Sequence, residues 1–550
     1  MPDTSHADLV LHGGVLFISG PTPAGWGIAI GGGKILYAGP DAGLKPFITR
    51  RTEVVNLSGA MVLPGFHDSH MHPLIGGLDL SGCSLQGLAS AEAYCRAVRD
   101  YADKHADAAC IRGSGWLYLC FPQQGPDKAL LDAAVAGIPV YLKAVDGHSA
   151  WVNSRALALA GITRDTADPP GGRIERDPAT GEPTGVLREL SAMYLIENRL
   201  PAYTPQEYVN AGRLFLQQAA ALGITSAFDA MALPEYLGAY KDLDDAGELM
   251  VRMHAALVCD PQQGARQAPA LLELREKYSG RRLHIPAAKF FLDGVVEGHT
   301  AVLLEPYADR PGFRGEGIWD RNALYLAAAE LDARGLQLHF HAVGDGAVRM
   351  ALDGIEQALR TNKRRGCRHQ IAHCDLVADS DLPRFASLGA IANMQPSWFY
   401  KDRNFYESTL PFLGRDRAFR LYRMNSLLDA GAIIACGSDW PVGGETITLN
   451  PLESIQIGMS RLALGDAGGD EYLPGECVNL WSMLDFYTSQ AAMACLQDHE
   501  TGSIEAGKYA DLAVLDRNLF DLPVQEIHTA RVLMTLVEGV PVFRATNTFF

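Results

Sequence analysis

Residues 60–73 read AMVLPGFHDSHMHP, an apolar run closed by a proline–glycine step and followed by His67, His70 and His72. A short apolar run bounded by turn residues signals a buried strand. His70 and His72 are two apart and so point to one side of an extended chain, where two imidazoles can grip one metal ion. His67, three before His70, points the other way, which suits packing or support of a ligand better than ligation.

Seven further apolar runs follow: GITSAFDA (223–230), VRMHAAL (251–257), AAKFFLDG (287–294), LQLHFHA (336–342), RHQIAHC (368–374), AIANMQP (390–396) and AIIACGSD (432–439). Helical patterns separate them, the mark of a parallel sheet with crossover helices. With AMVLPGF (60–66) as the first strand, eight such units predict an α/β fold, a (β/α)8 barrel spanning 61–499. The gap between His72 and Gly223 is far longer than the others and carries its own mixed pattern, including IRGSGW (111–116) and PVYLKAVDGHSAWVN (139–153). It predicts an inserted subdomain over 80–215 at the barrel mouth, where loops select substrates. Residues 1–60 and 500–550 share a β-rich texture, as in WGIAIGGGKILYAG (26–39) and RVLMTLVEGVPVF (531–543), and predict one composite β-sandwich built from both termini.

The chain has 550 residues, 48% hydrophobic and 20% charged, enough for a barrel of about 250 residues with large additions. A net charge of −17 repels nucleic acid and anionic lipid, and Lys363, Arg364, Arg365 and Arg368 form only a short basic run, read as a solvated helix end or loop. The N-terminus lacks a secretory pattern and no apolar stretch reaches the ~18 residues of a membrane span, so a cytoplasmic protein acting on a small molecule is expected. Its ten cysteines show no CxxC pair and read as reduced, mostly buried thiols. Homodimerisation is neither required nor forbidden.

Chemistry-bearing residues recur at the other strand ends. Lys289 lies in the fourth run, His341 closes the fifth, His373 the sixth and Asp439 the eighth. Unrelated core or surface polar residues would rarely fall together at the ends of separate barrel strands, so a metal site at the C-terminal mouth is the better reading.

In PGFHDSHMHP, DGHSAWVNS, KFFLDG with TAVLLEPY, HFHAVGDGAV, QIAHCDLV, CGSDWPV and GSIEAGKYADLAVLD, taken in order, the chain resembles the amidohydrolase superfamily and, within it, amidohydrolase family three. The resemblance spans nearly the whole chain. It implies that His70 and His72 hold a more buried metal, His341 and His373 a more exposed one, and that Asp439 completes the first site. It further implies two zinc ions, with Lys289 carboxylated by CO2 to a bridging carbamate. A free ammonium repels cations, whereas a carbamate is a two-oxygen anion. An unmodified lysine beside a single metal is the competing reading, and manganese, iron, cobalt or nickel suit the same ligands.

The resemblance implies hydrolysis of a C–N bond in an amide, N-formyl, N-acyl or cyclic amide compound by metal-activated water, with Asp439 as general base and acid. A mononuclear deaminase, an ester or lactone hydrolase, and an inactive barrel scaffold are the alternatives. His148, in DGHSAWVN, is nominated as a donor to the developing oxyanion, against a plain structural role. His339 shares a strand face with His341, but the resemblance favours His341 alone and places His339 deeper. Asp345 is read as a helix cap or an orienter of a ligand. His299 stands where the branch usually carries another polar residue, leaving a role in substrate choice open. Trp116, Trp398 and Trp440 are candidates for an apolar pocket wall.

Overall fold

The computed structural model describes residues 6–18, 20–122, 125–145, 147–363, 366–466, 468–469 and 471–546. Eight parallel strands run Phe66–Met71, Ile224–Ala232, Arg252–Val258, Leu283–Phe291, Gln337–Ala342, Gln370–His373, Ile391–Met394 and Ile433–Cys436, each paired with the next. Parallel neighbours need crossovers, and helices such as Pro234–Asp245, Arg321–Ala333 and Asp345–Asn362 supply them. The helices cover the outer face, which explains why the strands are nearly continuous apolar runs rather than alternating ones. First and last strands meet at the mouth, where Ser69 Oγ donates to the Cys436 carbonyl at 2.7 Å and the Asp439 N–H to the His70 carbonyl at 2.8 Å. Gly437 permits that approach, because a Cβ there would come within 2.5 Å of the His70 nitrogen.

The expected first strand, 60–66, is corrected. Met61–Pro64 belongs to the terminal sheet, antiparallel to Leu512–Leu515 and parallel to the end of Leu9–Leu16. The chain changes sheets at Gly65, whose N–H bonds the Asp511 carbonyl while the next N–H, of Phe66, bonds the Gly223 carbonyl. His67 to His70 therefore lie inside the first barrel strand rather than after it.

Strands from both termini form one hydrogen-bonded path: Val540–Arg544, Val532–Val537, Leu512–Leu515, Met61–Pro64, Leu9–Leu16, Trp26–Gly31 and Lys34–Pro40. Arg252, at the start of the third barrel strand, reaches this sheet through buried contacts to Asp511 at 2.7 Å and Glu538 at 3.1 Å. Charges removed from water in this way need their partners, and this set ties the terminal sheet to the barrel's N-terminal end, away from the mouth. The long first crossover contains a second sheet, ordered Arg173–Arg176, Pro183–Arg188, Ser149–Val152, Val140–Ala144, Ile111–Trp116 and Cys83–Ser84.

Of the basic run, Arg364 and Arg365 fall outside the described residues, and Arg368 pairs with Asp498 at 3.0 Å. No helix among the described residues is long and apolar enough to cross a membrane.

Candidate metal centre

Six side chains predicted from strand ends come together at the mouth. His70, His72, Lys289, His341, His373 and Asp439 are all buried and line one cavity. His70 Nε2 and His72 Nε2 lie 3.3 and 3.1 Å from Asp439 Oδ1. His70, His373 and Asp439 form a ligand cluster whose donor atoms fall within 4.8 Å of one another. The His341 and His373 rings follow at 4.4 Å between centroids. His373 and Asp439 sit in the left-handed backbone region, with φ of 75° and 56°, a strain that concentrates at functional sites.

Neighbouring acceptors fix which nitrogen each imidazole presents. His373 Nδ1 lies 3.0 Å from Gln395 Oε1, which can only accept, so Nδ1 carries the proton and Nε2 keeps its lone pair. His341 Nε2 faces the Gly294 carbonyl at 3.3 Å and Asp293 Oδ1 at 3.7 Å, leaving Nδ1 as the lone-pair nitrogen. His70 Nδ1 lies 2.9 Å from His339 Nε2. His70 presents a ligand lone pair at Nε2 only if its Nδ1–H donates to His339. With His70 as a ligand through Nε2, His339 is the group that accepts its Nδ1–H and so holds the His70 tautomer. His339→Ala is expected to weaken metal binding about 10–100-fold with the fold retained, as read by titration against a competing chelator. Unaltered affinity would remove His339 from that role.

The electrostatics follow from burial. Desolvation pushes the His70 and His373 imidazoles well below their usual range and His341 down to about 3, which keeps them neutral. Burial lowers Lys289 to about 7 against the pull of Asp439 and Asp229. Burial works to raise Asp439, but the hydrogen bond and charge of His72, with a further contribution from Lys289, hold its carboxyl below the usual range.

His148, on the insert, lines the same cavity, and its Nδ1 faces Glu189 Oε2 at 2.9 Å. Thr300 Oγ1 donates to the other Glu189 oxygen at 3.1 Å, anchoring the pair to the loop after the fourth strand. His67 is buried at the opposite end of the first strand, between the Gly65 carbonyl and Thr501. Asp345 does not cap its helix: Gly344 is the cap residue, and the Asp345 carboxylate accepts the Leu304 N–H at 2.8 Å. His299 turns away from the cavity to Asp309 at 2.8 Å and packs its ring on Phe412. Of the three tryptophans only Trp398 reaches the cavity, stacked on His373 with ring centroids 5.6 Å apart. Trp116 is spent inside the insert, donating to the Leu142 carbonyl, and Trp440 packs on Phe215.

Sequence reasoning missed Asp229, Asp293, Gln395 and Glu189. Asp229 stands 3.9 Å from His72 Nδ1 and receives the Tyr240 hydroxyl at 2.8 Å. Asp293 accepts three backbone N–H groups, of Val302, Val343 and Gly344. Both follow the strand-end logic that found Lys289, so the signal was present in ITSAFDA and KFFLDG.

A second grouping, Asp332, Cys367 and His369, brings metal-type side chains together near the other end of the barrel. His369 Nδ1 accepts the Leu338 N–H at 3.0 Å, which places the imidazole proton on Nε2, towards Asp332 Oδ1 at 3.3 Å. That nitrogen has no lone pair to offer a cation.

A family described as "Amidohydrolase family" matches residues 53–543. Among curated proteins, the chain is 32% identical over 545 residues to Protein LONG AFTER FAR-RED 3 of Arabidopsis thaliana, covering 97% of this chain and 91% of that protein. It is 26% identical over 551 residues to the N-substituted formamide deformylase of Arthrobacter pascens, covering 98% and 99%. Among solved structures, an uncharacterized metal-dependent hydrolase from Pyrococcus furiosus aligns with a TM-score of 0.71 at 26% identity, over 93% of this chain and 99% of that one.

Proposed function

Because this chain belongs to the amidohydrolase family, we propose that it is a metal-dependent hydrolase cleaving the C–N bond of an amide, N-formyl, N-acyl or cyclic amide compound. The observation that carries this reading is a convergent set of dehydrated ligand atoms. His70 Nε2 and Asp439 Oδ1, 3.3 Å apart, are buried at the mouth outside hydrogen-bond geometry, and His373 completes their cluster. Leaving a buried polar atom unsatisfied costs about 1–3 kcal/mol. Nitrogen and carboxylate donors gathered in this way suit a divalent ion such as zinc.

His70, His72, His341, His373 and Asp439 would hold the metal, with Lys289 as its CO2-derived carbamate bridging two ions. When bound, the metal supplies Lewis acidity, acidifying water and polarising a carbonyl oxygen. Asp439 takes the proton of the attacking water and returns it to the leaving nitrogen. Glu189 receives the Nδ1–H of His148, and that ring donates from Nε2 to the developing oxyanion as the imidazolium, the doubly protonated form that a neighbouring carboxylate favours. The insert contributes His148, Lys143 and Tyr141 to the cavity wall. The relative named as an N-substituted formamide deformylase supports the choice of a C–N bond.

Initial rates on N-formyl amines, N-acyl amino acids, cyclic amides, lactones and aryl esters, with zinc-loaded and chelator-stripped protein side by side, test the reading. Turnover of one C–N class that requires metal is expected. Turnover confined to esters or lactones would move the bond, and none at all would favour a deaminase or an inactive barrel.

A further inference from the structure

The cavity above the metal centre has two compartments that share His148, His341, His373 and Asp439. The one on the insert side is mixed in charge, with Arg112 and Lys143 beside Asp79 and Glu197. The other is one-sided. Glu297, Asp375, Asp402 and Glu445 line it, and no lysine or arginine among the described residues does. Carboxylates gathered beside apolar walls repel one another, a cost that an incoming cation removes.

Among the described residues, four lining atoms are buried without a hydrogen-bond partner: Asp439 Oδ1 at the ligand cluster, the Trp398 Nε1–H, Asp375 Oδ1 and the hydroxyl of Ser397, a residue only 1% exposed. Buried polar groups are normally satisfied, so an unpaired carboxylate oxygen and an unpaired hydroxyl on a cavity wall mark places where a ligand's donors arrive. Glu297 is held for the same task, its Oε1 receiving Asn404 Nδ2 at 3.1 Å and Thr409 Oγ1 at 3.3 Å. Trp398, Tyr400 and Tyr422 line the same compartment with aromatic surface, which attracts cations. Asp402 is partly committed, accepting the Phe405 N–H at 2.8 Å, and Glu445 stands exposed at the rim.

We propose that this compartment is a subsite for a protonated amine carried by the substrate, whose N–H groups are received by Asp375 and Glu297, with the Ser397 hydroxyl as a further acceptor. This deepens the hydrolase reading and rests on it: the natural substrate is an amide that bears an ammonium group apart from the bond that is cut.

Calorimetric titration of the zinc-loaded full-length protein at neutral pH with benzylammonium, and with its neutral isostere benzyl alcohol, reads the subsite without turnover. Charge-assisted hydrogen bonds make the ammonium bind about tenfold tighter or better. That margin is expected to shrink to about threefold or less in Glu297→Gln and in Asp375→Asn. Should one variant not fold, the other variant and the wild-type margin decide. Equal affinity for the two probes, or a margin that survives the substitutions, overturns the proposal. A charge preference without hydrolysis of any amide would keep the subsite and discard the C–N reading, and hydrolysis of neutral amides with no charge preference would do the reverse.

Discussion

Asp439→Asn is expected to turn over substrate about 10³-fold more slowly than the wild-type protein, within the 10²–10⁴ range of positioned proton transfer, while keeping nearly the same unfolding temperature. Carboxylate and carboxamide have the same shape, so packing beneath the mouth is unchanged. The backbone is equally safe: Asp439 has φ of 56°, and asparagine tolerates the left-handed region as well as aspartate does. Its main-chain N–H still closes the barrel on the His70 carbonyl. What disappears is the carboxylate between His70 and His72, and with it the proposed proton acceptor and anionic ligand. Measuring rate, bound metal and unfolding midpoint on the same preparation separates these losses. Normal turnover in the variant would remove Asp439 from the mechanism, whatever its position.

The barrel was legible because its eight runs are apolar, short and spaced by helical patterns, and because chemistry at a barrel mouth must sit where strands end. Lys289, His341, His373 and Asp439 could be located by that rule alone. Met61–Pro64 could not be separated from the true first strand, since both are buried and period counting finds no boundary inside a continuous apolar stretch. The break lies at Gly65 and is set by partners more than 150 residues away, Gly223 and Asp511. The same distance in sequence hid the supporting layer. His339 acts on His70, Gln395 on His373 and Asp293 on His341, each across strands, and a linear pattern contains nothing that pairs them. Asp345 misled for a local reason. An aspartate at the start of a helix usually caps it, yet this carboxylate is drawn to the Leu304 amide by the loop folded over the mouth.

Lys289→Ala is expected to lower metal content and activity together, activity by roughly two powers of ten or more, because charge stabilisation by a correctly held ion is worth several kcal/mol. Lys289 is 1% exposed in the fourth strand, in a cavity it shares with His70, His72, His341, His373 and Asp439. As an ammonium it would add a positive charge to the place where cations must gather, and as a carbamate it would add a negative one with two oxygens. On the proposed reading its removal costs the centre a bridging ligand and leaves a void open to the cavity. A small carboxylic acid such as formate, acetate or propionate can enter that void and present two oxygens in the same position. Partial recovery of both metal content and rate with added carboxylate is the expected signature, graded by the size of the acid. Metal content by elemental analysis decides between the two readings of this residue. A fall that carboxylates reverse supports the bridge, whereas unchanged content with lowered activity would make Lys289 an unmodified lysine acting beside a single ion.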